Sequence, residues 1–234
     1  MAGLGFKDFQ VGEVLTSSDV DGYLMQQTVM RFADAGARGS ALGTASGTAV
    51  ALAEGMLSYL DDVNQVQVYN GTDWTAAGRI AQVVQTTLTS TVTVSSASFA
   101  DVAGLSVAIT PSSTTSKVLV LAQLDYSTAG GAGFAGFFRL TGGNSSNFVG
   151  DAAGGRVRSL GHTGQGGDGW QTAMQTQTAV YLDSPATTSA VTYKVQVRGN
   201  ATPSAVYVNR AGTDTNASNY PRGASSITAI EVLA

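Results

Sequence analysis

From residue 80 to the end of the chain, apolar residues recur at every second position. In "TYKVQVRG", Tyr193, Val195 and Val197 fall on one side, and Lys194, Gln196 and Arg198 on the other. "TTLTSTVTV" alternates in the same way, and "KVLVLAQLD" is a nearly continuous apolar run with a polar tail. "AVYVNR" and "SITAIEVLA" complete the series. A period of two places successive side chains on opposite faces of an extended chain, the pattern of a strand with one buried face. Turn signals such as "TPSSTTS", "TGGNSSN", "DSPATTS" and "YPRGASS" separate the runs, and no ten-residue helical pattern intervenes. Many short strands joined by Gly, Pro and Ser turns predict an antiparallel β-sandwich or barrel.

The first part of the chain reads differently. "TSSDVDGYLMQQTVMRFADAGARG" predicts a helix capped by Ser17 or Ser18, with Asp19 and Asp21 in its first turn and Gly36 or Gly39 at its end. Val20, Tyr23, Leu24 and Met30 then fall on one side, with Met25, Val29 and Phe32 nearly opposite. A helix apolar on two sides must be covered on two sides. Its cover is either its own hairpin plus the next domain, or other copies of itself. On the second alternative Val20, Leu24, Met25, Val29 and Phe32 form an oligomer interface. Residues 56–60 and 65–69 read as strands of a hairpin, with its turn at 61–64 and a second tight turn at Asn70-Gly71. Trp74 is expected to pack over this small sheet. "TAAG" (75–78) marks the boundary between an N-terminal domain, 1–77, and a C-terminal domain, 78–234.

Charge and composition remove several function classes. Charged residues make up 12% of the chain, the net charge is −4 and the pI is near 4.8, which leaves no electrostatic footprint for nucleic acid. The absence of cysteine removes disulfides, zinc–thiolate sites and thiol nucleophiles. The longest apolar runs, 49–53 and 118–122, are too short to span a bilayer. "MAGLGFKDFQVGEV" lacks the basic start and apolar core of a signal peptide, so synthesis in a cytoplasm without conventional export is expected.

No motif for chemistry keeps its context. "GAGFAG" (131–136) matches the dinucleotide fingerprint, with Asp151 about 20 residues on, but a strand-like "GFFRLTGGN" follows where a helix must open. "DVDG" (19–22) is half a calcium loop without the remaining ligands, and Asp214 and Asn216 in "GTDTNAS" read as a turn before they read as a cation site. Asp61-Asp62 is a turn pair, not two carboxylates facing across a cleft. His162, the only histidine, lies in a Gly-rich tract without a nucleophile elbow. The expectation is a protein without catalysis, cofactor or metal. One tract stands out: "GGRVRSLGHTGQGGDGW" carries Arg156, Arg158, His162 and Trp170. Forked donors and stacking rings suit polyols and anions. The same residues also read as a solvent-facing strand edge with Trp170 in the core.

Two long phrases carry a resemblance: "VVQTTLTSTVTVSSASFADVAGLSVAITPSSTTSKVLVLAQLD" and "YLDSPATTSAVTYKVQVRGNATPSAVYVNRAGTDTNASNYPRGASSITAIEVL". They resemble a module of virion structural proteins of tailed bacteriophages, particularly marine ones. "FQVGEVLTSSDVDGYLMQQTVMRFADAGARG" with "EGMLSYLDDVNQVQVYNGTDW" looks like the attachment segment of phage fibre-type proteins. The resemblance implies a homotrimer with a jelly-roll-like C-terminal sandwich. Its N-terminal helix and hairpin would dock to other virion proteins, and its loops would meet a host surface glycan. Asn144, Asn147, Arg156, Arg158, His162 and Trp170 are the receptor-binding candidates on that reading. No repetitive shaft is present, so the implied role is a short tail fibre or tail-tip protein, with a capsid decoration protein or head fibre as the alternative. Either would be made in the host cytoplasm and reside in the virion.

Overall fold

The alternating pattern after residue 80 becomes two antiparallel sheets whose apolar faces meet in one core. The structure, a computed structural model, describes residues 11–14, 16, 29–42, 52–128, 134–144, 148–164, 172–201 and 205–233. The chain divides into two compact units, Met1–Arg79 and Ile80–Ala234.

In the second unit the strands are β5 (Ile80–Leu88), β6 (Val92–Ser95), β7 (Ala100–Ile109), β8 (Lys117–Thr128) and β9 (Ala135–Thr141). After them come β10 (Gly161–Gly164), β11 (Gln175–Asp183), β12 (Val191–Gly199), β13 (Ala205–Val208) and β14 (Ser225–Val232). One sheet has the order β10-β9-β12-β7. The other runs β5-β14-β8, with β11 on the far edge of β8 and β13-β6 continuing beside its second half. The pairs are nested: β5 with β14, β6 with β13, β7 with β12, β8 with β11 and β9 with β10. A chain folded back on itself around the 142–160 connection makes every one of these pairs antiparallel.

Residues facing inward are those the period of two selects. Val118, Val120, Leu124 and Tyr126 of β8 are fully buried, as are Phe138 and Leu140 of β9 and Tyr193, Val195 and Val197 of β12. Tyr126 meets Phe138 from the opposite sheet at 6.3 Å between ring centroids. Each large apolar side chain buried this way contributes about 1.5–3 kcal/mol.

Polar groups buried at the two ends of the sandwich fix its loops. At the end where β5 begins, Glu231 is fully buried. Its Oε2 accepts from Gln82 Nε2, and its Oε1 accepts from both the amide and the hydroxyl of Ser112, all at 2.7 Å. Burial pushes this carboxyl up, but the converging donors outweigh burial and hold it below the usual carboxylate range. At the opposite end Asn209 adopts φ +60° and is fully buried. Its Nδ2 donates to the carbonyls of Leu88 and Ser90, and its Oδ1 accepts from Ser225 Oγ, tying the exit of β5 to the start of β14.

The first unit holds a four-stranded sheet, β1 (Val29–Phe32), β2 (Leu57–Leu60), β3 (Gln65–Tyr69) and β4 (Trp74–Ala76), and one described helix, α1 (Ala35–Leu42). The hairpin falls where the sequence places it. The turn after it is held by Asn70 Oδ1, which accepts from the amides of Thr72 and Asp73, with Gly71 at φ +93°. Trp74 lies beside Tyr69 at 5.5 Å and carries the Arg38 guanidinium 4.4 Å above its ring.

The predicted helix does not extend over 29–32, and residues 17–28, where it would begin, lie outside the described residues. Val29 and Phe32 lie on β1, which pairs in parallel with β2, and Phe32 O accepts from Asp61 N. On a strand they are not on one face, because three residues reverse the side. The described helix α1 follows this strand: the Asp34 side chain caps it by accepting from Ala37 N, and Gly36 and Gly39, expected at a helix end, lie inside it. The edge of β2 explains the difference. Its backbone groups gain a full ladder from an extended 29–32 segment, and a helix there would leave that edge unpaired. Val20, Leu24 and Met25 lie outside the described residues.

Glu231 sets an acid limit on the sandwich. Its folded-state pKa is depressed, so its contribution is complete above the unfolded value, about 4.3, and is lost as pH falls through the folded value. Thermal melts should show the midpoint falling below about pH 4.5, and Glu231→Gln should be less stable at pH 7 but lose less on acidification.

Candidate functional site

The strand registers divide the sandwich loops between two ends. Ile80, Val232 and Lys117 share one end, here the near end. The described connecting residues 110–116, 142–144, 148–160 and 184–190 lie there, and 89–91, 96–99, 172–174 and 209–224 lie at the far end. This separates the residues that the sequence groups together.

Asn144 is at the near end. Its amide donates to the buried Asp183 carboxylate and its Nδ2 donates to Ser184 O at 2.9 Å. Asp183 also accepts from Tyr193 Oη at 2.6 Å and from its neighbour's amide, Ser184 N, at 2.8 Å. Burial and this carboxylate together push the Tyr193 phenol well up. Arg156 and Arg158 are exposed in the same end's long loop and turn back onto it: Arg156 Nη1 donates to Ala153 O, and Arg158 Nε donates to Gly150 O at 2.7 Å. Phe148 anchors that loop by stacking on Tyr181 at 4.9 Å.

His162 is elsewhere. The tract 156–170, expected as one loop, contains strand β10, which carries His162 onto the outward face of the four-stranded sheet. There it stacks on Phe137 at 6.1 Å. Arg156, Arg158 and His162 therefore form no single cluster, and Asn147 and Trp170 lie outside the described residues.

The far end presents a shallow cleft lined by Asp214, Thr215, Asn216, Ala217, Tyr220 and Arg222. Arg222 Nη2 donates to Asp214 Oδ1 at 2.5 Å, so the carboxylate that could have met a hard cation already faces a guanidinium. No grouping of His, Asp and Glu suited to a metal occurs among the described residues. Nor, among them, is any helix long and apolar enough to cross a membrane.

Both sheets carry features on their outer faces that adjacency in sequence does not reveal. On the β5-β14-β8-β11 sheet, Leu182, Leu119, Ile230 and Val83 stand in one row across four strands. The next row toward the far end is Val180, Leu121, Thr228 and Gln85, and the one after is Thr178, Gln123, Ser226 and Thr87. The face thus grades from aliphatic at the near end to polar at the far end. Ile80, Val83, Val180 and Leu182 are 50–60% exposed, and they are all of the second unit's exposed large apolar residues among those described. On the other sheet the outward residues of β9 and β12 include Phe137, Arg139, Lys194, Gln196 and Arg198. The alternation in "GFFRLTGG" and "YKVQVRG" was the available signal, but only the register shows that these two stretches are neighbours.

The chain matches no known family model and no curated protein.

The near-end turn depends on Gly143, at φ +51°, where a β-carbon would sit 1.9 Å from Asp183 Oδ2. Gly143→Ala must shift either the turn or the buried carboxylate, and is expected to cost about 2–4 kcal/mol in urea denaturation. Gly154→Ala, equally left-handed but in open space, should cost about 1 kcal/mol.

Proposed function

We propose that this chain is a structural protein of a tailed-phage virion. In this reading it is a short tail fibre or tail-tip protein that assembles as a homotrimer, docks by residues 1–77 and offers its sandwich to host surface glycans. The nested pairing supports a jelly-roll topology. From β6-β13 inward the nested pairs alternate between the two sheets, as they do when one long hairpin is rolled into a sandwich, and the outermost pair, β5-β14, shares the sheet of β6-β13. The sequence phrases shared with phage virion modules point the same way.

The observation that carries the assembly is the aliphatic end of the six-stranded sheet. Ile80, Val83, Val180 and Leu182, each 50–60% exposed on one face, make a contiguous apolar patch of the kind that marks an interaction surface. The carboxylates of Glu231 and Asp183 and the amide of Asn209 are buried with hydrogen-bond partners, whereas these four aliphatic side chains stand in water. A closed cyclic assembly covers such a face in every copy at once. The polar rows toward the far end keep that end in solvent, where a host surface would be met first.

Light scattering on the purified chain is expected to give three times its 23.8 kDa mass. Val83→Ser combined with Leu182→Ser should dissociate the trimer while the sandwich still unfolds cooperatively. A wild-type chain that stays monomeric at about 10 µM, a concentration at which weak complexes of a few µM already form, ends the trimer reading. Antibody labelling of intact virions that maps the protein to the head would replace the tail assignment with head decoration.

A further inference from the structure

We propose that the outward face of the β10-β9-β12-β7 sheet is a binding site for a carboxylate-bearing saccharide, with Arg139 and Arg198 holding the carboxylate and Phe137 and His162 forming a plate for the sugar ring. The inference rests on the host-glycan reading above and moves the contact from the loops to a sheet face.

Three of the chain's 12 lysines and arginines, Arg139, Lys194 and Arg198, point outward from two adjacent strands of a chain whose net charge is −4. The acid beside them, Asp101, is already taken: it accepts from Lys194 Nζ at 2.8 Å and from Gln196 Nε2 at 2.7 Å. Among the described residues, neither guanidinium meets a carboxylate. Both are nonetheless held in place. Arg139 Nε donates to Gln196 Oε1 and Arg198 Nε to Gly199 O, each at 2.9 Å. Both also stack on one ring, Phe99, at 4.3 Å and 6.0 Å from its centroid. Anchoring an arginine by Nε and by its flat face fixes the direction of its remaining N–H groups, which are the fork that meets a carboxylate. Fixing them beforehand lowers the entropy lost on binding.

Arg198 is directly opposite Phe137 in the register, and Phe137 is directly opposite His162. The two rings lie 6.1 Å apart with planes inclined by 30°, an aromatic surface beside the guanidinium. A flat apolar plate next to a few oriented donors is how a polar ligand with an apolar face is held. A bare carboxylate would leave that plate unused, and so would inorganic phosphate. Nucleic acid fits poorly: three cations cannot supply the roughly six to ten phosphate contacts of a typical non-specific complex. The far-end row of the other sheet, Thr178, Gln123, Ser226 and Thr87, carries no charge at all, so outward arginines are not what exposure alone demands of this sandwich. The site is open and shallow, so one copy binds weakly and linked copies bind through effective concentration.

Titration calorimetry of the full chain with a galacturonate tetramer tests this, with a galactose tetramer and inorganic phosphate as controls. Binding of the galacturonate tetramer alone is expected. Arg139→Gln with Arg198→Gln should weaken it by about tenfold or more, and Phe137→Ala by about fivefold. Arg156→Gln, on the near-end loop, should leave it unchanged. Thermal melts and light scattering on the same samples report folding and assembly independently. A folded trimer that binds no galacturonate overturns this site and leaves the assembly reading standing. Equal binding of phosphate, or binding that survives the double substitution, overturns it as well.

Discussion

The two hydrogen-bond ladders along Lys117–Thr128 are what the sandwich is organised around. One edge of this strand pairs with Gln175–Asp183; the other pairs first with Ser225–Val232 and then with Ala205–Val208. Its inward side chains, Val118, Val120, Ala122, Leu124 and Tyr126, are 0–4% exposed and run through the middle of the core. Its partners lie 49 to 115 residues away in sequence, so these ladders form only after long loops close, and such topologies fold slowly. Once formed, they leave β-edges only at the margins of each sheet, and the nested order makes every pair antiparallel without any crossover helix.

Given that scaffold, chemistry is sorted by face and by end. The near end is closed by buried carboxylates, Glu231 and Asp183, which join loop donors, Ser112 and Asn144, to strand donors, Gln82 and Tyr193. The far end is knit by Asn209 and Ser225. The outer faces differ from each other. One grades from aliphatic to polar along the strands, and the other sets two arginines around one phenylalanine. In the proposed trimer the first face is suited to other copies and the second to a ligand. Arginine on an outward strand position loses considerable side-chain freedom when fixed, which makes two fixed guanidiniums on one ring a costlier choice than the threonines nearby.

Much of this was legible in the residues themselves. The inward and outward sets of β12, Tyr193, Val195 and Val197 against Lys194, Gln196 and Arg198, follow from alternation alone. So do the hairpin strands at 57–60 and 65–69, because each lies between strong turn residues. The N-terminal element shows where that logic stops. Val29 and Phe32 fit a helical spacing as well as a strand, and the unpaired edge of β2, a feature absent from the local sequence, decided between them. The same limit applies to Arg156, Arg158 and His162: they are close along the chain, but a four-residue strand sets the histidine beside Phe137 while the two arginines bond to carbonyls of their own loop.

By itself the sequence determined the class of structure, mainly β with alternating burial, and the absence of cysteine thiols. Those properties depend on local period and on composition, which every residue carries with it. Tertiary structure alone decided which strands are neighbours, and therefore which outward residues share a face. Leu182, Leu119, Ile230 and Val83 are one row, and Arg139, Arg198 and Phe99 one cluster, only because registers were set between strands far apart in the chain. Register is chosen by the burial of the opposite faces, so the outer surfaces that meet partners are arranged as a consequence of packing the core.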